Sequence, residues 1–231
     1  MSGPDPEPIP LTLAGDLPHP VRLGLVRAAP VAVGPSGEPL EAEIASTCRE
    51  LAARHAGLEP AAIPGLRPAR DLYRRFGIDP TRTRPSSEAL LRRILQGKPF
   101  PRILNAVDLC NLCAVRFLLP IGLYDAERIR GAVTLRSGGP GEFYAGIRKE
   151  EVHLDGRLLL ADQEGPFGNP TSDSLRTSVT EATRSIFMVI FAPFEMPAAE
   201  MGTQVRSASD LCRRFLAPAG GITAAGGDVM P

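Results

Sequence analysis

An α+β fold, in which helices cover a mixed or antiparallel sheet, is predicted by the order of patterns along this chain. Helical periodicity runs through the first half, whereas short β-prone segments and glycine-rich turns alternate in the second. A nearly unbroken apolar run, Ile186 to Ala192, has the character of a strand at a sheet centre. With 231 residues, 43% of them apolar, the chain can fill one large core, and no internal repeat divides it.

Residues 1–10, MSGPDPEPIP, are Pro-rich and expected to be a mobile tail. A single domain is expected over residues 11–216. Its first element is a strand in the run Val21 to Val33, whose end is made irregular by Pro30. Glu41 to His55 reads as an amphipathic helix with Ile44, Cys48 and Leu51 on one face and Gly57 as its stop. After a Pro- and Gly-rich connector, Arg70 to Phe76 forms a short helix closed by Gly77, and Pro80 to Pro85 an extended basic loop.

The segment Arg84-Pro85-Ser86-Ser87-Glu88 then opens a helix, with a Ser at the cap, Glu88 in the first turn, and Pro85 blocking extension upstream. Leu90, Leu91, Ile94 and Leu95 give it one apolar face, which throws Arg92 and Arg93 to the flank, where guanidinium groups fork onto phosphate or carboxylate oxygens. Gly97 ends it. Past the Pro99 to Pro101 turn, Asn105, Asp108 and Asn111 put short polar side chains along one edge of a second, otherwise apolar helix. Such an edge lines a pocket, or it caps backbone inside the fold.

In the second half, Ile129 to Arg136, Gly141 to Ile147, Val152 to Leu154 and Arg157 to Ala161 are strand-like and joined by turns, of which Asp155-Gly156 is the clearest hairpin signal. Gly165 to Pro170 reads as a glycine and proline loop. The last helix is Ala199 to Leu216, with Arg213 and Arg214 suited to the negative end of its dipole. Residues 217–231 are rich in Ala and Gly and expected to be a second mobile tail.

Charge is balanced overall, with 26 basic and 26 acidic residues, but residues 67 to 102 hold ten Lys or Arg against three Asp or Glu. A neutral protein with one basic stretch implies local contact with an anionic partner and excludes the basic coat of a non-specific nucleic-acid binder. DNA is not an expected partner, and neither is a membrane. The four cysteines are too scattered for a disulfide framework, and no signal peptide or long apolar span is visible, so a cytoplasmic location is expected. Cys110 and Cys113 have the spacing of a redox pair or half a zinc site, yet no second pair exists and His19, His55 and His153 lie far off in sequence. They read as buried or pocket-edge thiols. No metal and no cofactor is expected, since no GxGxxG opens a βα unit and no P-loop motif appears.

Taken together and in order, RPSSEALLRRIL, NAVDLCNLCAVRFLLPIGLYDAERIRGAVTLRSGGPGE and GPFGNPTSDSLRTSVTEATRSI resemble the B3/B4 domain of the bacterial phenylalanyl-tRNA synthetase β subunit, and more closely its free-standing relatives. The resemblance covers about residues 70 to 195. In the synthetase this domain is an editing site that hydrolyses the ester joining tyrosine to the tRNA terminal ribose. For this chain the resemblance implies a hydrolase of a mischarged aminoacyl-tRNA, acting in trans, that binds the tRNA acceptor end. The alternative it leaves is a module that binds tRNA or an amino-acid-like small molecule without hydrolysis.

The family pattern Val-Asp-x-Thr-Asn is matched by Val107, Asp108, Leu109, Cys110 and Asn111, with Cys110 in place of Thr. The family's Pro-Leu-His is matched by Pro120, Ile121 and Gly122, so the histidine is lost, while Asp125 is kept. The glycine-rich pocket wall falls on Gly165 to Gly168 with Asn169 beside it. Thr180 and Thr183 are retained, and Val189 stands where the synthetase has the Glu that reads the tyrosine hydroxyl, unless a small slip brings Glu181 or Glu195 there. A wall without a polar group cannot reject the analogue lacking a hydroxyl, so tyrosine selectivity is not expected. The resemblance gives Asn111 to the ester or its water, Asp108 or Asp125 to the amino group, and Arg74, Arg75, Arg82, Arg84, Arg92, Arg93 and Lys98 to phosphates.

Overall fold

A computed structural model of the protein describes residues 8–147 and 149–231. The expected mobile tail at residues 1–10 lies largely outside the described residues. The strands are β1 (Leu11–Leu13), β2 (Val21–Ala29), β3 (Ile121–Asp125), β4 (Val133–Ser137), β5 (Phe143–Gly146), β6 (Lys149–His153), β7 (Leu158–Asp162), β8 (Gly165–Asn169), β9 (Ser172–Asp173), β10 (Ile186–Pro193) and β11 (Ala224–Met230). The helices are α1 (Glu38–Arg54), α2 (Arg67–Arg75), α3 (Ser86–Leu95), α4 (Asn105–Phe117) and α5 (Ala198–Phe215), with short 3₁₀ turns between some of them.

One sheet has the order β11-β2-β10-β3 and is antiparallel throughout. A second has the order β1-β4-β7-β8-β9, mixed because β1 runs parallel to β4. Strands β5 and β6 form a separate hairpin. The apolar run of β10 is buried at every residue because both of its faces are covered. Its alternate residues Met188 and Ile190 enter a core shared with helices α1, α3, α4 and α5. Phe187, Val189 and Phe191 point the other way, into a core with Leu135, Leu160 and Phe167 of the second sheet. The α+β architecture is therefore three layers, helices, sheet and sheet, and β10 is their common centre.

Besides β1 and the short β9, neither expected as a strand, and the hairpin expected at Asp155-Gly156, whose flanking strands β6 and β7 pair elsewhere, three segments depart from the expectations drawn from sequence. Ala224 to Met230, expected to belong to a mobile tail, pairs along β2 from Ala29 to Leu23. The glycines that gave it a tail-like composition are what let it lie there: a Cβ at Gly227 would come within 1.9 Å of the Leu25 carbonyl oxygen and 2.7 Å of Val205. Gly165 to Asn169, expected as a loop, is a strand opposite β7. The third departure is β3, which follows α4 directly after Pro120 and was not anticipated as a strand. Helix α3 begins as expected, but Pro85 occupies its cap position and Ser86 is its first residue. Among the described residues no helix is long and apolar enough to cross a membrane.

Candidate functional site

The concave site lies where α4, the start of α3, β3 and the turn from β8 into β9 converge. It is a cavity of about 540 Å³, within the roughly 300–1,000 Å³ of small-molecule sites. Helix α4 contributes Val107, Cys110, Asn111 and Ala114, β3 contributes Ile121 and Leu123, α3 contributes Ser86, and the turn contributes Asn169 through Asp173. Ile103 and Ile147, both about half exposed, also line it. The helical periodicity of α4 places Cys110, Asn111 and Val107 on the face turned to the cavity.

The polar edge of α4 divides by function. Asn105 holds the preceding backbone, accepting from the Gly34 N–H at 3.1 Å and donating to the Ala32 carbonyl at 2.8 Å. Asp108 accepts from Ser36 Oγ at 2.7 Å and from the Ile103 N–H at 2.8 Å, so its buried carboxylate ties down the entry to α4 and does not line the cavity. Asn111 alone of the three faces the cavity. Asp125 is likewise occupied elsewhere: it accepts from Thr183 Oγ1 at 2.7 Å and from the Glu127 N–H at 3.0 Å. Thr180 donates its N–H to Thr183 Oγ1, which completes a structural link between β3 and the segment before β10.

Gly122 and Val189 are cross-strand partners on the side of the first sheet that faces the second sheet. They do not line the cavity, and neither does Pro120, whose carbonyl accepts from the Phe191 N–H. The reason is Tyr124, which lies two residues along β3 on the same face as Gly122. Its hydroxyl sits 2.0 Å from where a Gly122 Cβ would be and 2.2 Å from where a Gly168 Cβ would be, so both glycines are spaces filled by one tyrosine. Gly165 and Gly168 accordingly form no pocket wall; the wall is the next turn, Asn169 to Asp173. Glu181 and Glu195 are also absent from the lining, and Glu195 is bound to Arg75.

The carboxylate inside the cavity is Asp173, which sequence reasoning missed. Burial pushes its acid strength down, to a pKa of about 7, against the smaller opposing effects of the Tyr124 hydroxyl and the Leu123 N–H. The Leu123 N–H lies 3.4 Å from Oδ2, while Oδ1 is buried without a hydrogen-bond partner. Tyr124 Oη is beside it, also buried and also without a bond of good geometry. Asn169 uses Oδ1 to close the turn, accepting from Thr171 N–H and Oγ1 at 2.7 Å and from the Ser172 N–H at 2.9 Å, and leaves Nδ2 unpartnered. Only a single Asp in a Ser- and Thr-rich stretch marked this wall in the sequence.

Cys110 is fully buried, and its thiol is raised above the ordinary range by that burial and then by Asp173. It is a protonated lining group and not a thiolate. Cys113 and Cys212 are buried as well and similarly raised. Among the described residues no cluster of three or more His, Cys, Asp and Glu side chains is placed to hold a metal ion.

The basic stretch is folded around its own acids. Glu88 is 1% exposed and accepts from Arg70 Nε and Nη2 at 2.7 Å each and from Arg92 Nε at 2.9 Å, with Arg84 Nε at 3.5 Å. Arg75 forks onto Glu195, Arg74 pairs with Asp71, and Arg82 lies 3.8 Å from Asp79. Arg93 donates to the Pro99 carbonyl, and Lys98 is exposed. The cluster of Arg70, Arg84 and Arg92 around one carboxylate retains excess positive charge; Arg84 precedes the cavity-lining Ser86 by two residues, while Arg70 lines a separate recess with Arg67 and Arg74.

Comparison with known proteins places this architecture. The profile of the B3/4 domain matches residues 68–216. The phenylalanine–tRNA ligase beta subunit of Streptomyces avermitilis is 28% identical over 144 residues, which are 60% of this chain and 17% of that protein. That of Aquifex aeolicus is 29% identical over 109 residues, 45% of this chain and 14% of that protein. The uncharacterized protein YhzB of Bacillus subtilis is 27% identical over 111 residues, 48% of this chain and 45% of that protein. The chain thus spans less than half the length of these curated relatives. In fold alone, it is similar to an N-terminal fragment of the phenylalanyl-tRNA synthetase beta-subunit from Pyrococcus horikoshii, with a TM-score of 0.50 and 13% identity over 100% of this chain and 56% of that one. The match over most of the chain, from α2 to the end of α5, shows that this protein belongs to the B3/4 domain family.

Proposed function

We propose that the cavity receives the aminoacyl group of an aminoacyl-tRNA and hydrolyses its ester, while the Arg70, Arg84 and Arg92 cluster meets the phosphates of the acceptor end. The observation that carries this reading is the division of charge. Among the described residues the cavity is lined by apolar side chains, neutral polar groups and one carboxylate, with no Lys or Arg, a lining that disfavours phosphate and suits a small, partly apolar group. Arg84, the member of the positive cluster that leads into α3, stands two residues before the cavity-lining Ser86. A ligand with an amino-acid end and a phosphate-bearing end matches both. The relation to synthetase beta subunits supports tRNA as the source of the second end.

Hydrolysis here needs no covalent nucleophile. The Cys110 thiol is kept protonated, and the described lining residues include no histidine to activate it. A water held by Asn111 and by the hydroxyls that line the cavity attacks the ester carbonyl, aided by the substrate's own ribose hydroxyl. Each donor aimed at the developing oxyanion contributes about 10²- to 10³-fold. Gly122 and Val189 lie outside the lining, so the loss of the family's His and Glu at these positions does not set selectivity for or against a tyrosine hydroxyl here. A second reading, a binding module without turnover, is favoured by Asp108 and Asp125, both bonded within the fold and outside the lining, which leaves Asn111 the only one of the three expected catalytic groups at the cavity.

A panel of tRNAs, each charged with a radiolabelled amino acid, decides between them. Loss of label from one or a few species, abolished in Asn111→Ala, is the expected result. Retention of label across the panel together with saturable tRNA binding would replace hydrolysis by the second reading.

A further inference from the structure

We infer that Asp173 is the anchor for a free ammonium group, so that the cavity accepts ligands with an unblocked amine and rejects the same ligands once N-acylated. This inference rests on the aminoacyl reading of the cavity and deepens it. Asp173 closes β9 and lines the cavity; its Oδ1 is enclosed by protein beside Tyr124 Oη, and its Oδ2 receives only the long 3.4 Å contact from the Leu123 N–H. An acceptor in that condition is costly to the fold by itself and is satisfied by a donor that arrives with the ligand.

Among the described residues no Lys or Arg pairs with Asp173. The titratable groups that face it are Tyr73 of α2, Cys110 of α4, Tyr124 of β3 and Tyr144 of β5, and each has its own pKa raised by burial first and by Asp173 second. All are neutral near pH 7. A carboxylate surrounded by neutral groups, in a cavity whose described lining holds no Lys or Arg, selects a cation, and the apolar lining from Val107, Ile121, Leu123 and Val179 selects one carried on a short aliphatic body. An ammonium supplies both charge and hydrogen-bond donors. An N-acylated nitrogen has one donor and no charge, so it leaves the acid unpaired and adds an acyl group to an enclosed wall. Peptidyl and N-formylated esters are excluded on the same ground.

Proton linkage gives an independent signature. Near pH 7 free Asp173 is partly protonated, and binding of an ammonium requires the carboxylate, so a proton is released on binding and affinity rises with pH through about 7.

The test uses the full-length protein with leucinamide and N-acetyl-leucinamide, titrated calorimetrically at pH 6 and pH 7.5 in two buffers of different ionisation enthalpy. Leucinamide is expected to bind about 30-fold or more tightly than its acetylated form, to release protons at pH 6, and to lose a similar factor in Asp173→Asn. Equal binding of the two ligands, absence of proton release at pH 6, or no binding of leucinamide overturns the anchor. Where Asp173→Asn fails to fold, the wild-type pair of ligands decides. Binding of leucinamide without deacylation of any charged tRNA would sink the hydrolase reading and leave the anchor standing. Hydrolysis of N-acetyl-aminoacyl-tRNA as fast as of aminoacyl-tRNA would do the reverse.

Discussion

Replacing Glu88 tests how the basic face is held. Its carboxylate is 1% exposed and receives a fork from Arg70, a third bond from Arg92, and the charge of Arg84. Glu88→Ala removes the common acceptor and leaves Arg70, whose side chain is only 20% exposed, without it. Breaking a buried pair by removing one partner costs about 3–5 kcal/mol. Arg92 and Arg84, 29% and 43% exposed, can turn toward water, which places the expected loss near the lower end, about 3 kcal/mol. For a chain of this size that corresponds to a melting temperature lower by about 6–12 °C.

The pH dependence has a definite sign. Burial raises the Glu88 pKa, but the bonds to Arg70 and Arg92 together outweigh it and the net shift is downward. A carboxylate depressed in the folded state contributes stability that is fully present above its unfolded value, about 4.3, and is lost as pH falls through its folded value. Urea denaturation at pH 7 and at pH 3 should therefore show the difference between wild type and Glu88→Gln shrinking at the lower pH. A loss below about 1 kcal/mol for Glu88→Ala at pH 7 would refute the reasoning, because that is the cost of a solvated surface pair. Since Glu88→Gln also removes the one negative charge among three guanidinium groups, its affinity for tRNA at low salt is expected to rise.

Three further outcomes follow from packing. Gly122→Ala places a Cβ 2.0 Å from Tyr124 Oη and 2.6 Å from Cζ in a fully buried site, and should destabilise by about 1–3 kcal/mol in urea titration. Tyr124→Phe removes a buried hydroxyl that has no good hydrogen bond, so stability should change by less than about 1 kcal/mol, while the Asp173 pKa, followed by carboxyl NMR, should rise above about 7 with the loss of that neighbour. Truncation after Leu216 removes β11, its ladder on β2 and the Arg27 to Asp228 pair, and should cost at least about 2 kcal/mol by the same assay, where a dispensable tail would cost nothing.

Patterns with a local physical cause were legible in the sequence. The amphipathic faces of α1, α3 and α5 and the unbroken apolar run of β10 follow from side-chain periodicity within a few residues; the tight turn at Asp155-Gly156 forms from its turn chemistry, but not as a hairpin, since β6 pairs with β5 and β7 with β4 and β8. The cavity edge at Cys110 and Asn111 was reached through the family motif and the helical spacing of α4. By contrast, glycine composition misled twice. Gly227 and Gly168 looked like tail and loop, yet each is a glycine because a neighbour, the Leu25 carbonyl or the Tyr124 ring, occupies the place of its side chain. That reason exists only once two strands distant in sequence are adjacent.

The sequence by itself determined that this chain is an α+β domain of the B3/B4 type, with a basic segment and an Asn-bearing helix beside it. Only the tertiary structure decided which polar groups are consumed by the fold and which are left for a ligand. Asp108 and Asp125 are as acidic in sequence as Asp173, but Ser36 and Thr183, 72 and 58 residues away, reach the first two and saturate them. Asp173 meets tyrosines and a thiol that bond it poorly, and its carboxylate, held only by a 3.4 Å contact from the Leu123 N–H, lines the cavity. Hydrogen-bond satisfaction is a property of contacts, and contacts between residues so far apart are fixed by how the layers pack.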